Sequence, residues 1–218
     1  MAPAPGRKKR GLILFCAEQG FAGAFSERVL AAAANDLKGA TSLIIGTRGA
    51  ALAGERGMRP VWSAAMTTRV EGIPSFANRL AEVLYGYIAQ DAIATVDILF
   101  SRSIAGEIRI DRHSLLPIDF ARFARPVAKQ APLIALPPEL LLDRLAAEYV
   151  YAQLCEAAMH AFVAENEARM IAMVAAKNNT ETKLAALLQR ERQLRQEEIT
   201  TEIVELATGA QASRTTRR

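Results

Sequence analysis

ELLLDRLAAEYVYAQLCEAAMHAFVAENEARMIAMVAAKNNTETKLAALLQRERQLRQEEITTEIVELAT, residues 139–208, contains no glycine and no proline. Pro137-Pro138 stands directly before it, and proline is tolerated at or ahead of the first turn of a helix. The stretch is built largely from alanine, leucine, glutamate, glutamine and arginine, the residues with the highest intrinsic helix propensity. As one continuous helix it would reach roughly 100 Å at about 1.5 Å per residue, well beyond the diameter of a domain that a chain of this size builds. A helix of that length is a shaft or a strut. Apolar or small side chains recur along it at threes and fours through Leu142, Leu145, Tyr149, Ala152, Met159, Val163, Met170, Met173, Leu184, Leu187 and Leu194, which predicts a coiled-coil seam. Asn166, Lys177 and Thr180 interrupt that seam. Between Glu165 and Thr200 six basic residues face six acidic ones, the mixture expected of a solvated exterior.

Upstream of the helix the pattern changes to alternating strands and helices. Gly11 to Cys16 is a short apolar run bounded by turn formers, which reads as a strand buried on both faces. Ser26 stands at an N-cap position ahead of a run rich in alanine. Thr41 to Gly46 repeats the strand pattern, Thr47 to Arg56 reads as a short helix stopped by Gly57, Ser75 to Gln90 has apolar residues at helical spacing, and Val96 to Ser101 is a third buried strand. Glu107 to Ile110 alternates as an edge strand does, and a loop rich in proline and arginine runs from Pro117 to Pro138. The expected fold is α/β, a Rossmann-like, mostly parallel sheet domain followed by the long C-terminal helix. Its parts are a basic tail over 1–10, the α/β domain over 11–136, the helix over 137–210 and a second basic tail over 211–218.

The chemistry that such a domain often carries is missing from the sequence. Gly49 and Gly54 have a P-loop's spacing, but Glu55-Arg56 follows where lysine and serine or threonine would hold phosphate and magnesium. Gly20 and Gly23 follow the first strand without completing a dinucleotide fingerprint, and Glu18 would set a negative charge beside any pyrophosphate. A close strand-to-helix turn explains these glycines more simply. His113 and His160 lie in no metal-binding motif, and His160 reads as a packing or surface residue. No nucleophile elbow and no catalytic pair of carboxylates is evident. Neither a catalytic residue, a cofactor nor a metal is expected.

Composition narrows the class further. Hydrophobic residues at 51% with 6% aromatics describe a chain that folds rather than a disordered one. The formal charge of +4 is modest, and its excess lies near the ends with no aromatic interleaved, so nucleic-acid binding is not expected. Cys16 and Cys155 stand apart, which predicts two free thiols in a reducing compartment. No stretch approaches the roughly 20 apolar residues of a membrane span, so the reading is cytoplasmic, with membrane attachment only through partners.

The segment Ile199-Thr200-Thr201-Glu202-Ile203-Val204-Glu205-Leu206-Ala207-Thr208-Gly209-Ala210 resembles the C-terminal signature of the gamma subunit of F-type ATP synthases, with Gly209-Ala210 closing the helix. The resemblance extends to Arg195-Gln196, to Glu165 through Met170, to Ala176 through Thr180, to Gly20-Phe21-Ala22-Gly23-Ala24-Phe25 after the first strand, and to Leu115-Leu116-Pro117 and Pro138 through Asp143. It covers almost all of residues 11–212.

The resemblance implies a central rotor. Its helical shaft turns inside the hexamer of alpha and beta subunits, its α/β domain lies at the foot with the epsilon subunit and the membrane c-ring, and proton flow is coupled to nucleotide exchange at sites on other subunits. Arg195, Gln196, Thr200, Glu202 and Glu205 would then face loops of the catalytic subunits, and the complex would be peripheral to the inner membrane. Two departures accompany the match. Ala22, Ala24 and Ser26 stand where the family usually has cysteine, glycine and asparagine. The family also begins with a long helix that pairs antiparallel with the C-terminal one, whereas here the first strand starts at Gly11, so half the shaft is missing. A fragment or a mis-assigned start is the favoured reading, ahead of a helix supplied by another chain and of a diverged paralogue that no longer rotates. The isolated chain is therefore expected to fray or self-associate along its C-terminal helix. The alternative function is a non-rotary binding module, an α/β domain with a helical docking arm.

Overall fold

The computed structural model describes residues 9–37, 39–123 and 133–215. They fall into two compact units, one ending at Ile171 and the other beginning at Ala172. In chain order the elements are β1 (Arg10–Phe15), α1 (Phe25–Leu37), β2 (Thr41–Ile45), α2 (Thr47–Glu55), β3 (Trp62–Ala64), α3 (Ile73–Ala89), β4 (Thr95–Ile104), β5 (Glu107–Leu116) and α4 (Pro138–Thr215).

The first unit holds one five-stranded sheet in the order β3-β2-β1-β4-β5. β1 pairs parallel with β2 and β4, β2 parallel with β3, and β5 antiparallel with β4. The apolar runs of β1 and β2 reflect burial on both faces. Ile13 and Phe15 point into a cluster with Phe76, Leu80 and Leu84 of α3 and with Val150, Leu154, Ala157, Ala158 and Ala161 of α4. Leu12, Leu14 and Cys16 point the other way, onto Val29, Leu30 and Ala33 of α1 and Ala53 of α2. Helices thus cover both faces of a mostly parallel sheet, and full burial of a side chain such as Leu154 contributes about 1.5–3 kcal/mol.

Several details depart from the sequence expectation. Ser26 lies inside α1 rather than capping it, and its hydroxyl accepts a hydrogen bond at 3.0 Å from the backbone N–H of Ala17. The hydroxyl therefore closes the turn after β1. β4 and β5 are ten residues each and are joined by Ala105-Gly106, both at positive φ (51° and 83°), the conformation of a tight hairpin turn. Arg10 is the first residue of β1 rather than part of a tail.

Arg10 also belongs to a four-charge cluster. It pairs with Asp36 and Asp97 at 2.7 Å each, and Arg112 of β5 reaches the same two carboxylates at 2.6 and 2.7 Å. Hydrogen bonding from Arg112 holds Asp36 below the ordinary carboxylate range against some desolvation. Burial alone would raise Asp97, but hydrogen bonds from Arg112 and Arg10 outweigh it and hold this carboxyl low as well. A depressed folded value gives stability that is complete above the unfolded carboxylate range, near pH 4, and that is lost as pH falls through the folded values. The urea midpoint is therefore expected to drop as pH falls below about 4, and the combined Asp36→Asn and Asp97→Asn variant to lose part of that slope. A wild-type midpoint that stays level across this window would mean that the cluster contributes nothing to stability.

Candidate partner interface

The helical seam divides at its packing. In the first unit Leu142, Leu145, Met159, Val163 and Met170 are exposed, whereas the buried face of α4 runs through Val150, Leu154, Ala157, Ala158, Ala161, Ala164 and Ala168. The expected seam is thus not the face that meets the sheet. The physical reason is volume: the sheet and α3 already offer Phe15, Ile98, Phe100, Leu80 and Leu84, so the helix that closes over them packs best with alanine, and the larger residues lie on the other side.

The second unit is helical through Thr215, and Gly209 lies within the helix rather than closing it. A glycine there costs about 1 kcal/mol relative to alanine, too little to end a helix flanked by good formers. Arg195, Gln196, Thr200, Glu202 and Glu205 are all exposed on it. Arg195 donates to Glu191 Oε1 at 2.9 Å, and the Thr200 hydroxyl donates to the Gln196 carbonyl at 2.8 Å. At 3.6 residues per turn Arg195 and Glu202 share a side with Glu205 one turn on, while Gln196 and Thr200 share another. Between these polar edges lie Ile199, Ile203 and Leu206, at 50%, 60% and 75% exposure. The arrangement holds hydrogen-bonding groups on both sides of an apolar strip.

A polar joint that apolar periodicity does not reveal lies in the first unit. Glu165, expected on a solvated exterior, is 5% exposed. Its carboxylate accepts backbone N–H groups of Glu18 and Gln19 at 3.2 and 3.0 Å and pairs with Arg169, which donates to the Gly20 carbonyl at 3.3 Å and to Asn166 Oδ1 at 2.7 Å. α4 thereby grips the turn that follows β1. Apolar packing reinforces the grip, since Ala22 of that turn and Phe25 at the start of α1 meet Ala164 and Ala168. The sequence did carry a signal: Glu165 falls in line with Ala157, Ala161 and Ala168, and a carboxylate on an alanine face needs a partner.

Glu18 occupies the donors that a phosphate would want. Its carboxylate accepts the N–H groups of Thr47, at the start of α2, and Met66 at 2.9 and 2.8 Å. Gly46 and Gly49 serve close approach: a Cβ on Gly46 would lie 2.5 Å from the Cys16 carbonyl oxygen, and one on Gly49 would lie 2.0 Å from the Cys16 Cβ. Burial pushes the Cys16 thiol up to about 12. His160 stacks on Phe100 at 5.9 Å and His113 meets the same ring edge-on at 5.1 Å, so both histidines pack. Phe21 in the turn after β1 has φ 62° and is 78% exposed.

Among the described residues no helix is long and apolar enough to cross a membrane. The family described as "ATP synthase" matches residues 2–212. The ATP synthase gamma chain of Salinibacter ruber is 30% identical over 152 residues, covering 57% of this chain and 49% of that protein. The ATP synthase gamma chain of Azoarcus sp. (strain BH72) is 27% identical over 218 residues, covering 94% of this chain and 74% of that one. A chain of the Euglena gracilis mitochondrial ATP synthase in rotational state 3 shares the fold with a TM-score of 0.70 at 11% identity, covering 97% of this chain and 74% of that chain. The chain spans about half the length of the first curated relatives it matches. With the match taking in both the sheet and the exposed helix, this chain belongs to the ATP synthase gamma-chain family.

Proposed function

We propose that the chain acts in the central stalk of an F-type ATP synthase, as the rotor that couples proton translocation to ATP synthesis or hydrolysis on other subunits. The observation that carries the reading is the family match over residues 2–212. The helix around Arg195, Gln196, Thr200, Glu202 and Glu205 would meet the alpha and beta subunits, and the sheet unit would meet the epsilon subunit and the c-ring. The chain itself performs no catalysis. A rotor acts by presenting a surface that binds the successive conformations of its surroundings unequally, so that its position biases their equilibrium. An apolar strip with Arg195 and two carboxylates on one edge and neutral Gln196 and Thr200 on the other is asymmetric in that sense. Such a subunit is peripheral to the membrane.

Co-expression of the tagged chain with alpha and beta chains from the same source is expected to yield one complex with magnesium-dependent ATPase activity. Substituting Arg195, Glu202 and Glu205 together by alanine should weaken co-purification at least tenfold. Isolation of the chain free of both subunits and bound instead to another protein would overturn the rotor reading in favour of the non-rotary binding module.

A further inference from the structure

The charges between Lys177 and Thr208 lie in two blocks. Lys177, Lys183, Arg190, Arg192 and Arg195 fall in the first, with Glu181 and Glu191 among them, while Glu197, Glu198, Glu202 and Glu205 fall in the second with no basic residue before Thr208. Glu181 and Glu191 pair within the helix, with Lys177 at 3.7 Å and Arg195 at 2.9 Å. Among the described residues the structure records no ion partner for Lys183, Arg190, Glu198 or Glu205. A block of unpaired cations is thus followed by a block of unpaired anions on one helix.

An apolar stripe runs through both blocks. Leu184, Leu188, Ile199 and Leu206 fall within about 60° of one another around the helix. They are exposed by 56%, 45%, 50% and 75%. Leu184, Arg195 and Leu206 follow one another at intervals of about 11 residues, as do Leu188 and Ile199, a spacing that keeps a stripe on one side of a nearly straight helix. Lys183, Arg190, Glu198 and Glu205 all flank this stripe on the same side.

We propose that this surface pairs antiparallel with the same surface of a second copy of the chain, about a two-fold axis close to Leu194 and Arg195. In an isologous contact residue i meets j while j meets i, so each favourable pairing occurs twice. Antiparallel alignment about that axis sets Lys183 against Glu205 and Arg190 against Glu198, and lays Leu184 and Leu188 over Leu206, Ile203 and Ile199. At the axis the Glu191–Arg195 pair of one chain meets its counterpart, completing a ring of alternating charge. A parallel alignment would place the charged flanks of the two chains on opposite sides of the contact, where they could not pair. The inference does not rest on the rotor reading, and concerns the chain free of other subunits.

The test uses the full chain and light scattering after size exclusion, with circular dichroism as the check on helix content. The wild type is expected at twice the mass of one chain, and its dissociation constant should rise with added salt. Lys183→Glu with Arg190→Glu makes the flanks wholly acidic, and Glu198→Lys with Glu205→Lys makes them wholly basic. Each double variant alone should dimerise at least tenfold more weakly at unchanged helix content, and an equimolar mixture should restore dimers to within about threefold of wild type. A monomeric wild type would overturn the proposal, and so would variants that dimerise alone as well as wild type or a mixture that fails to recover.

Discussion

Arg169→Ala is expected to lower the stability of the sheet unit by about 3 kcal/mol, because it leaves the carboxylate of Glu165 buried without its counter-ion. Glu165 is 5% exposed, and its remaining partners are two backbone N–H groups. Arg169 also holds the Gly20 carbonyl and the Asn166 side chain. Arg169→Lys should recover only part of the loss, since an ammonium lacks the fork that serves these acceptors together. Glu165→Ala combined with Arg169→Ala should be less harmful than the sum of the two single changes, as expected for members of one network. Urea unfolding of the full chain provides the measure, with Arg195→Ala as the exposed control. A loss for Arg169→Ala no larger than that of the control would mean that the joint carries no weight.

Gly49→Ala should be of similar size, about 3 kcal/mol, at the upper end of what overpacking a core costs. The added methyl would fall 2.0 Å from the Cys16 Cβ and 2.9 Å from its Sγ, far inside van der Waals contact, and both atoms belong to short, buried parts of the structure. Either α2 moves away or the segment just after β1 shifts. Because the contact is with a Cβ, Cys16→Ala should bring no relief, whereas Cys16→Gly, just past the end of β1, should rescue a large part of the Gly49→Ala loss even though glycine gives up more backbone entropy on folding. Thermal unfolding resolves this easily, since about 3 kcal/mol corresponds to roughly 6–12 °C for a chain of this size. A Gly49→Ala protein that melts with wild type would show that α2 has room to spare against Cys16.

The joint and the glycine contact differ from the rest of the fold in how far the sequence exposes them. The apolar runs of β1, β2 and β4 were legible because central parallel strands are buried on both faces, and α3 because its apolar residues repeat at helical spacing. β3 was not, since three residues with Trp62 half-buried at a sheet edge leave no periodicity to detect. The hairpin between β4 and β5 turns on Ala105-Gly106, and alanine at positive φ is not a turn signal that composition announces. For α4 the length was legible but the packing face was not. Periodicity weights large apolar side chains, and here those lie outward while alanine lies inward. Gly49 has the spacing of a phosphate loop but is followed by Glu55-Arg56, and its use appears only once α2 is seen to touch Cys16 just after β1. The residues from Arg195 to Glu205 came from resemblance to a family, and the geometry adds that they border an apolar strip. Of the loop expected from Pro117 to Pro138, residues 124–132 lie outside the described residues.

With Ala157, Ala158, Ala161, Ala164 and Ala168 inward and Met159 and Val163 outward, sequence drift along α4 has to be lopsided. Enlarging any rung of the inner ladder by even a methyl or two presses on side chains that are already packed there, while the outer positions accept residues of many sizes and polarities. The least conspicuous letters of the helix are therefore the ones that natural variation is least free to rewrite.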